Sequence, residues 1–490
     1  MQKISVLLNQ HFSVIIFHLV AFLLILRLQN VTAAGTGPSH DKVVVCYIGT
    51  WATYRPGFGS FTLDHVDPNL CTHVIYAFSG LDTDIDGIKA LDPWQDLKDN
   101  YGKGGFEKLT SMKKTNPHLK VTLAIGGWNE GSLKYSQMVA NPERRAKFVK
   151  NAFEFVKRYN FDGLDLDWEY PTQRDGKPED KQNFVSLVME LKSKFREHNL
   201  LLTSAIGASK IMIDEAYDVK TLSNYLDFMH IMCYDYSGSW DKKVGPNAPL
   251  NNNGILDINT TISHLLARGA SPSKLVLGLP FYGRTFLAQG EGNFGDPTDD
   301  KGFPGPYTKE SGFMGFNEIC DTVQNSSAAW SVTWDAATDQ AVARKKHTDS
   351  AGETKVITYD SSRSIANKIR YALKLNLAGA MVWSIDTDDF LGKCHSEEDT
   401  FVDYVARPGV KLTFPRRVND NFPLLRTINE AIIVAQSELE QEEMIREEEM
   451  ENEIPHGNSQ SATVSFQTHM LAIYTLLAIF QRRIFVREFL

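Results

Sequence analysis

Eight short apolar runs, separated by segments of helical pattern, most constrain the fold of this 490-residue chain. Most of the runs are apolar almost throughout, which is typical of strands that are buried on both faces of a parallel sheet. The order strand, helix, strand, repeated eight times, predicts an α/β fold with a closed (β/α)8 TIM barrel. The runs begin near Val43, Thr72, Lys120, Gly163, Leu201, Asp227, Lys274 and Gly379.

One connection between the runs is much longer than the others. Roughly 100 residues separate the seventh run from the eighth, far more than a helix and two loops need. The surplus, residues 285–356, is rich in glycine, proline, threonine and aromatic residues. We therefore predict a small inserted α+β subdomain at 285–356, followed by a barrel helix that begins near Ile365. The whole barrel domain should occupy residues 35–435.

The N-terminal residues 1–34 have the features of a targeting segment. Lys3 lies near the start, an apolar run extends from about Ser13 to Leu26, and Ala33 and Ala34 are small. This pattern predicts a secretory signal peptide, with an uncleaved signal-anchor as the alternative. In an oxidising compartment, five cysteines suggest two disulfides and one free thiol. None of the cysteines has C-x-x-C spacing, and we predict no bound metal.

The C-terminal end changes composition twice. Of the net charge of -9, the segment from Glu438 to Glu453 carries -8, because it contains nine glutamates and one arginine. We interpret residues 436–461 as an acidic and polar linker and residues 462–490 as an apolar tail. The apolar core of the tail is about eleven residues, short of the ~20 that a spanning helix needs. A membrane segment, a signal for a lipid anchor and a free tail all remain open, so we expect a secreted protein, free or tethered to the outer cell surface.

The stretch DGLDLDWEYP, residues 162–171, places four acidic residues among large apolar ones. Side chains two positions apart on a strand point the same way, so Asp165, Asp167 and Glu169 should line the barrel interior at ~6.6 Å steps. Asp162 has the other parity and lies near the strand start, which indicates a structural role. Glu169 would lie at the carboxyl end of the strand, where barrel enzymes place their reacting groups.

Three carboxyl groups in one row cannot ionise independently, so at least one should have a raised pKa. A carboxylic acid that stays protonated near neutral pH is what general-acid cleavage of a glycosidic bond requires. Glu169 is the candidate acid. From the motif alone, two alternatives remain open: a site for calcium or magnesium, and a buried structural network.

The motif resembles the active-site signature of glycoside hydrolase family 18, the chitinases and chitinase-like proteins, with all four acidic positions present. The resemblance extends from about Val43 to Ala435, and its character is that of the animal chitinases, particularly those of arthropods. It implies chitin or chitin oligosaccharides as ligands and no cofactor. We expect a monomer, and the lack of a basic stripe argues against nucleic acid as a partner. Further similar segments are AFSG at Ala77, AIGGW at Ala124, MCYDYSG at Met232, GLPFYGR at Gly278 and MVWSIDTDD at Met381.

The resemblance implies a retaining mechanism without an enzyme nucleophile. Glu169 would protonate the glycosidic oxygen while the 2-acetamido carbonyl of the substrate attacks C1, giving an oxazolinium-type intermediate. Asp167 would hold the acetamido N–H and share a proton with Asp165. Tyr234 would donate to the acetamido carbonyl and fix it near C1. Glu169, then a carboxylate, would activate the water that opens the intermediate.

The resemblance also implies a set of residues around the sugar. Trp383 would form the floor under the reacting sugar, because aromatic faces pack against the apolar side of a pyranose. The other expected substrate contacts are Tyr47, Phe78, Trp128, Asp235, Tyr282 and Arg284, with Trp51 and Trp240 on strand-end loops.

Several structural roles are expected beside these contacts. Gly126 and Gly127 should permit close backbone approach at a strand exit. Ala124 stands where many family members have a serine that helps a buried hydrogen-bond network, so the pKa of the acid row could differ here. Cys233 should be a buried, inert thiol. The disulfides implied by the resemblance are Cys46 with Cys71 and Cys320 with Cys394.

Two other functions remain open at this point. The family includes lectin-like members without catalysis, although these usually lose the terminal acid, which is present here as Glu169. An endo-β-N-acetylglucosaminidase that acts on glycoprotein glycans is the second alternative. The inserted subdomain and the pair Tyr234 and Asp235 favour chitin.

Overall fold

The computed structural model describes residues 35, 37–324, 327–346, 352–394, 401–407, 410–415 and 421–453. The predicted targeting segment, 1–34, the apolar tail, 462–490, and the last part of the linker lie outside these residues. Within the described ranges, no helix is both long enough and apolar enough to cross a membrane. The chain divides into two compact units, Met1–Ser437 and Glu438–Leu490, and the second is described only as helix up to Glu453.

The strands of the described chain are short, from three to ten residues. They are β1 (Val43–Gly49), β2 (His73–Asp82), β3 (Gly87–Ala90), β4 (Lys120–Gly126), β5 (Gly163–Asp167), β6 (Leu201–Ile206), β7 (Phe228–Ile231), β8 (Leu275–Pro280), β9 (Tyr282–Gln289), β10 (Phe313–Gly315), β11 (Trp330–Asp335), β12 (Gln340–Lys345), β13 (Glu353–Tyr359), β14 (Gly379–Trp383), β15 (Phe401–Arg407) and β16 (Val410–Pro415).

The α-helices of the described chain lie between successive barrel strands, except α11, which follows the last of them. They are α1 (Pro93–Asp96), α2 (Gly105–Ser111), α3 (Leu133–Val139), α4 (Pro142–Arg158), α5 (Asp180–Arg196), α6 (Lys210–Ala216), α7 (Val219–Tyr225), α8 (Ile258–Ala267), α9 (Phe316–Gln324), α10 (Ser362–Lys374) and α11 (Pro423–Glu453).

Eight parallel strands close into a barrel, which confirms the fold predicted from the apolar runs. The order around the barrel is β1, β2, β4, β5, β6, β7, β8 and β14, and β14 pairs with β1 to close it. Each of these strands coincides with one of the eight predicted runs. The barrel interior is filled by side chains that include Val45, Tyr47, Ile75, Ala77, Ala124, Val276 and Met381.

Helix α4 shows how the sequence determines where a barrel helix begins and which face it buries. The side chain of Asn141 accepts from two backbone N–H groups of the first turn, and Pro142 occupies a position where no N–H is needed. Phe148, Ala152 and Val156 recur at four-residue spacing and are fully buried against the barrel. Most of the other polar side chains of the helix are exposed, whereas Arg145 is buried and donates to the backbone oxygen of Val139.

The segment predicted to hold an inserted subdomain contains a separate five-stranded antiparallel sheet. Its strand order is β10, β9, β13, β12, β11, and it includes helix α9. The sheet starts at Tyr282 rather than at residue 285, because only Phe281 separates β9 from barrel strand β8. Its buried cluster contains Val244, Phe286, Ala288, Val342 and Val356.

Both disulfides implied by the resemblance are present. Cys46 of β1 is bonded to Cys71, two residues before β2, and Cys320 of α9 is bonded to Cys394 after β14. The second bond therefore links the inserted sheet region to the segment that follows the last barrel strand. Cys233 is free and buried, and burial raises the pKa of its thiol to about 12, as expected for an inert cysteine.

Candidate active site

The acid row lies on β5, between β4 and β6. Asp165 and Asp167 are inside the barrel and 0% and 4% exposed. Glu169 follows the end of the strand by two residues and is partly buried. Trp168 points the other way and packs between helices, because its ring stacks on Tyr135 of α3 and meets Phe184 of α5 edge-on.

Asp165, at the bottom of the row, is held by side chains from three other strands. The hydroxyl of Tyr47 donates to Oδ2 over 2.6 Å, and the hydroxyl of Thr203 donates to Oδ1 over 2.5 Å. Nδ1 of His230 lies 3.1 Å from Oδ1 and 2.9 Å from the Tyr47 hydroxyl. The carboxyl group is therefore fixed in a fully buried hydrogen-bond network.

The two outer carboxyl groups have raised pKa values. Burial, followed by the charges of Glu169 and Asp165, raises the pKa of Asp167 well above its usual range. Burial also raises the pKa of Glu169 to about 7, although a hydrogen bond from Tyr170 and the charge of Arg174 act in the opposite direction. Oδ1 of Asp167 is buried and has no hydrogen-bond partner among the described residues. A ligand N–H would satisfy it.

Tyr234 follows β7 by three residues and faces the same region from the other side of the barrel. Its side chain is partly buried, and its hydroxyl lies 4.0 Å from Sδ of Met381. Burial and the charge of Asp167 raise the pKa of Tyr234 well above its usual value. The phenol therefore remains a neutral hydrogen-bond donor at physiological pH.

Aromatic rings form a platform at the open end of the barrel. Trp383 stacks on Phe78 with centroids 5.6 Å apart, and Phe78 stacks on Trp51 at 6.1 Å. Trp51 is 45% exposed, whereas Trp383 and Phe78 are partly buried. Tyr47 packs edge-on against Trp383 from below. The exposed faces can bind the apolar side of a sugar ring.

A second polar cluster lies beside Tyr234. Asp235 accepts from the hydroxyl of Tyr282 over 2.6 Å and pairs with Arg284 through Nε at 2.8 Å and Nη2 at 2.7 Å. The guanidinium of Arg284 also lies over the ring of Trp240, which is 50% exposed. Asp235 itself remains exposed, so its carboxylate can reach a ligand.

The loop after β4 supplies Trp128 and two glycines. Trp128 is 58% exposed, and the guanidinium of Arg174 lies over its ring at 3.7 Å. Gly126 has φ +119°, and a Cβ there would lie 2.1 Å from the carbonyl oxygen of Asp167. Gly127 has φ +85°, and a Cβ there would lie 2.6 Å from the ring of Phe78. Both positions therefore require glycine for the close approach that the sequence predicts.

Two of the expected substrate contacts, Tyr47 and Tyr282, are buried beneath the site. Tyr47 is 1% and Tyr282 is 2% exposed, so neither side chain opens to solvent. Their hydroxyls instead hold the carboxylates of Asp165 and Asp235. Sequence parity places a residue inside the barrel but does not tell how much of it other side chains cover, and here the platform covers Tyr47.

Three residues of the site were not predicted from the sequence: Thr203, His230 and Arg174. Thr203 is the register partner of Asp165 on β6, a relationship that a single sequence does not reveal. Asp162 lies outside the row, as predicted. Its carboxylate accepts from the backbone N–H of Val121 over 2.8 Å and pairs with Lys113 at 3.0 Å.

Ala124 is the register partner of Asp165 on the other side, β4, and is fully buried. Its methyl group offers no hydrogen bond to the acid row. The hydroxyl of Thr122, two residues earlier on the same strand, is buried without a hydrogen-bond partner in the described chain. In those same residues, no group of three or more His, Cys, Asp or Glu side chains could hold a metal ion.

Comparisons with known proteins agree with this geometry. Residues 43–388 match the family described as Glycosyl hydrolases family 18. The Drosophila melanogaster protein named Probable chitinase 2 is 56% identical over 453 residues, which cover 91% of this chain and 93% of that protein. The crystal structure of Ostrinia furnacalis Group IV chitinase in complex with allosamidin has 39% identity and a TM-score of 0.72, over 81% of this chain and 100% of that chain.

A second similar structure has a different description. Human YKL-39, described as a pseudo-chitinase with retained chitooligosaccharide binding properties, has 29% identity and a TM-score of 0.67. The match covers 80% of this chain and 99% of that chain. Similarity of fold therefore does not by itself separate a hydrolase from a binding protein, and the site residues must decide.

Proposed function

The chain belongs to glycosyl hydrolase family 18, and we propose that it is a chitinase, which hydrolyses β-1,4-linked N-acetylglucosamine polymers with retention. The observation that carries the proposal is the position of Glu169. This carboxyl group lies at the open end of the acid row, with a pKa of about 7, so a large fraction is protonated near neutral pH. A protonated carboxyl group there can act as the general acid.

The substrate supplies the nucleophile. In the first step Glu169 protonates the glycosidic oxygen as the bond to C1 breaks, while the carbonyl oxygen of the substrate's own 2-acetamido group attacks C1. In the second step the Glu169 carboxylate takes a proton from a water molecule, which opens the oxazolinium ring and restores the acetamido group. The two inversions at C1 give net retention.

Asp167 and Asp165 support the intermediate. The buried Oδ1 of Asp167 would accept the acetamido N–H, which orients the carbonyl towards C1. The raised pKa of Asp167 means that this residue holds a proton before substrate binds, and Asp165 is the neighbouring acid that shares it. Charge on this pair stabilises the cationic ring as it forms.

Tyr234 and the aromatic platform complete the site. The Tyr234 hydroxyl donates to the acetamido carbonyl, and the faces of Trp383 and Trp51 take the apolar sides of successive sugars. Asp235 and Arg284 would contact polar groups of a bound sugar, and Phe78 and Trp128 would line the cleft. We assign Tyr47 and Tyr282 to the support of Asp165 and Asp235.

Two alternative functions, a binding protein without catalysis and an endo-β-N-acetylglucosaminidase, fit the site less well. A binding protein without catalysis would not need a terminal acid, and Glu169 is present beside an intact row. An endo-β-N-acetylglucosaminidase remains the second candidate, and the exposed aromatic platform, which suits a linear polymer of identical sugars, favours chitin. Hydrolysis of chitin oligosaccharides but not of glycoprotein glycans would separate these two functions.

We also propose that the protein is secreted as a monomer and that residues 462–490 serve its attachment to the outer cell surface, either as a spanning segment or as a signal that is exchanged for a lipid anchor. The support is the sequence: a signal-like segment at 1–34 and an apolar tail after the linker. A phospholipase that cuts lipid anchors would release a lipid-anchored protein from membranes, whereas only detergent would release a spanning one. Recovery of all the protein in the medium without either treatment would contradict the attachment.

The reaction itself is tested with tetra-N-acetylchitotetraose as substrate. We expect hydrolysis by the purified chain, with the β-anomer in excess in proton NMR spectra recorded before mutarotation. We also expect inhibition by allosamidin, the ligand of the similar Ostrinia furnacalis structure. Initial excess of the α-anomer would contradict the substrate-assisted mechanism. Binding without hydrolysis would support the lectin-like alternative.

A further inference from the structure

We propose that Ser132 is a positioning residue for Glu169, an inference that rests on the proposed role of Glu169 as the acid. The hydroxyl of Ser132 joins the residue before Glu169 to the residue after it. Nε1 of Trp168 donates to Oγ of Ser132 over 3.0 Å, and Oγ of Ser132 donates to the backbone oxygen of Tyr170 over 2.9 Å. A hydroxyl has one hydrogen to donate, so this orientation is fixed by its two partners.

All three groups are withdrawn from solvent or nearly so. Ser132 is 1% and Trp168 is 4% exposed, and Tyr170 is partly buried. Water therefore cannot replace the hydroxyl of Ser132 without a rearrangement of the loop. Ser132 does not belong to the acid row or to the aromatic platform, and the two hydrogen bonds of its hydroxyl go to the residues on either side of Glu169.

The need for such a contact follows from where β5 ends. The register of β5 with β4 stops at Gly126 opposite Asp167, so sheet pairing does not hold Glu169. Beyond Asp167, the chain is held by hydrogen bonds to the loop after β4. The backbone N–H of Gly127 donates to the carbonyl of Asp167 over 2.8 Å. Ser132 then holds both neighbours of Glu169.

Arg174 adds a contact to Glu169 itself. Its Nη1 donates to the backbone oxygen of Trp128 over 2.8 Å and to that of Glu169 over 3.0 Å. The four consecutive residues from Asp167 to Tyr170 are thus each tied to the loop that follows β4. The hydroxyl of Ser132 bonds two of these four residues, whereas Arg174 bonds one of them, and Ser132 carries no charge that would alter the pKa of Glu169.

Loss of the Ser132 hydroxyl should therefore change the position of the Glu169 carboxyl without changing its charge environment or the sugar contacts. Displacement of a reacting group by about 1 Å can lower a rate by about 100-fold. We expect Ser132→Ala to lower kcat about 10- to 100-fold on tetra-N-acetylchitotetraose, with KM within about twofold of the wild-type value. Ser132→Thr, which keeps the hydroxyl, should recover most of kcat.

The matched control is Ser136→Ala. Ser136 is also 1% exposed, lies four residues further along on α3, and donates one hydrogen bond, to Oδ1 of Asp180 over 3.0 Å. This variant loses a buried hydroxyl of the same kind but has no link to Glu169, so its kcat should stay at the wild-type value. Equal losses of kcat in both serine variants would overturn the positioning role, because a general loss of packing around α3 would then explain them.

A second variant keeps the test decisive if Ser132→Ala does not fold. Trp168→Phe retains a large apolar ring between α3 and α5 but removes the N–H donor, and it should lower kcat in the same direction. Glu169→Gln is measured in parallel. If Glu169→Gln is inactive while both Ser132→Ala and Trp168→Phe keep the wild-type kcat, the positioning role is wrong. If Glu169→Gln keeps the wild-type rate, the proposed function itself fails.

Discussion

The hydroxyl of Tyr47, on β1, donates to Oδ2 of Asp165, on β5, over 2.6 Å across the interior of the barrel. This bond fixes the lowest member of the acid row. Tyr47→Phe keeps the ring but removes the donor, so we expect a loss of about 1 to 3 kcal/mol in the free energy of unfolding. Because Asp165 neighbours Asp167 in the acid row that we propose for catalysis, kcat should fall as well, and chemical denaturation with steady-state kinetics would measure both changes.

Tyr76→Phe is the matched control for this prediction. Tyr76 is as buried as Tyr47, and its hydroxyl donates to Oδ1 of Asp96 over the same 2.6 Å, but outside the barrel. This variant should lose similar stability and keep the wild-type kcat. A fall in kcat of the same size in both tyrosine variants would argue against a specific role for Tyr47.

The raised pKa of Glu169 predicts that the wild-type carboxyl destabilises the fold at alkaline pH. Well below pH 4.5 the group is protonated in both the folded and unfolded states and has no effect. As pH rises towards about 7, the unfolded state ionises first, so the folded state loses stability. Glu169→Gln should therefore be more stable than wild type at pH 8, by at most on the order of 3 kcal/mol, and equal at pH 4.

Thermal unfolding at the two pH values measures this difference. The exposed Glu154 on α4 provides the control, since Glu154→Gln should change stability equally little at both pH values. A Glu169→Gln variant that is less stable than wild type at pH 8 would show that ionised Glu169 is stabilised in the fold, contrary to the account.

Two charges near Glu169 should move the pH profile in opposite directions. Activity needs protonated Glu169, so it should fall as pH rises through about 7. The charge of Arg174 lowers the pKa of Glu169, whereas that of Asp235 raises it. Arg174→Gln should therefore shift the alkaline limb of kcat to higher pH, and Asp235→Asn should shift it to lower pH. If both variants shifted the alkaline limb in the same direction, the limb would not report the ionisation of Glu169.

Gly127 should be intolerant of a side chain for two reasons. Its φ of +85° disfavours any L-residue, at about 1 to 2 kcal/mol, and a Cβ would press on Phe78 of the aromatic platform. Gly127→Ala should lose more stability than that and weaken oligosaccharide binding. Gly295→Ala is the control, since Gly295 has φ +93° and nothing within 4 Å of a Cβ. Its loss should be limited to the backbone cost, with unchanged binding in calorimetric titration.

The sequence predicted the features that depend on local pattern. The eight barrel strands carry near-continuous apolar runs, and the period of two residues placed Asp165 and Asp167 inside the barrel. These expectations hold because burial on both faces of a strand and side-chain parity are properties of the strand alone.

The features that were missed depend on contacts between strands or loops. His230 and Thr203 meet Asp165 only through the register of β5, β6 and β7, which one sequence does not reveal. The exposure of Tyr47 depends on a tryptophan more than 300 positions away, Trp383. The short strand β3 pairs antiparallel with β2 and has too few residues to show a pattern.

The central claim is that Glu169 is the acid of a retaining chitinase. The most direct measurement is the rate of hydrolysis of tetra-N-acetylchitotetraose by the wild type and by Glu169→Gln, with binding of the same oligosaccharide measured for both. The account predicts hydrolysis by the wild type, a kcat about 100- to 10,000-fold lower in Glu169→Gln, and retained binding. Equal rates for the two proteins would contradict it.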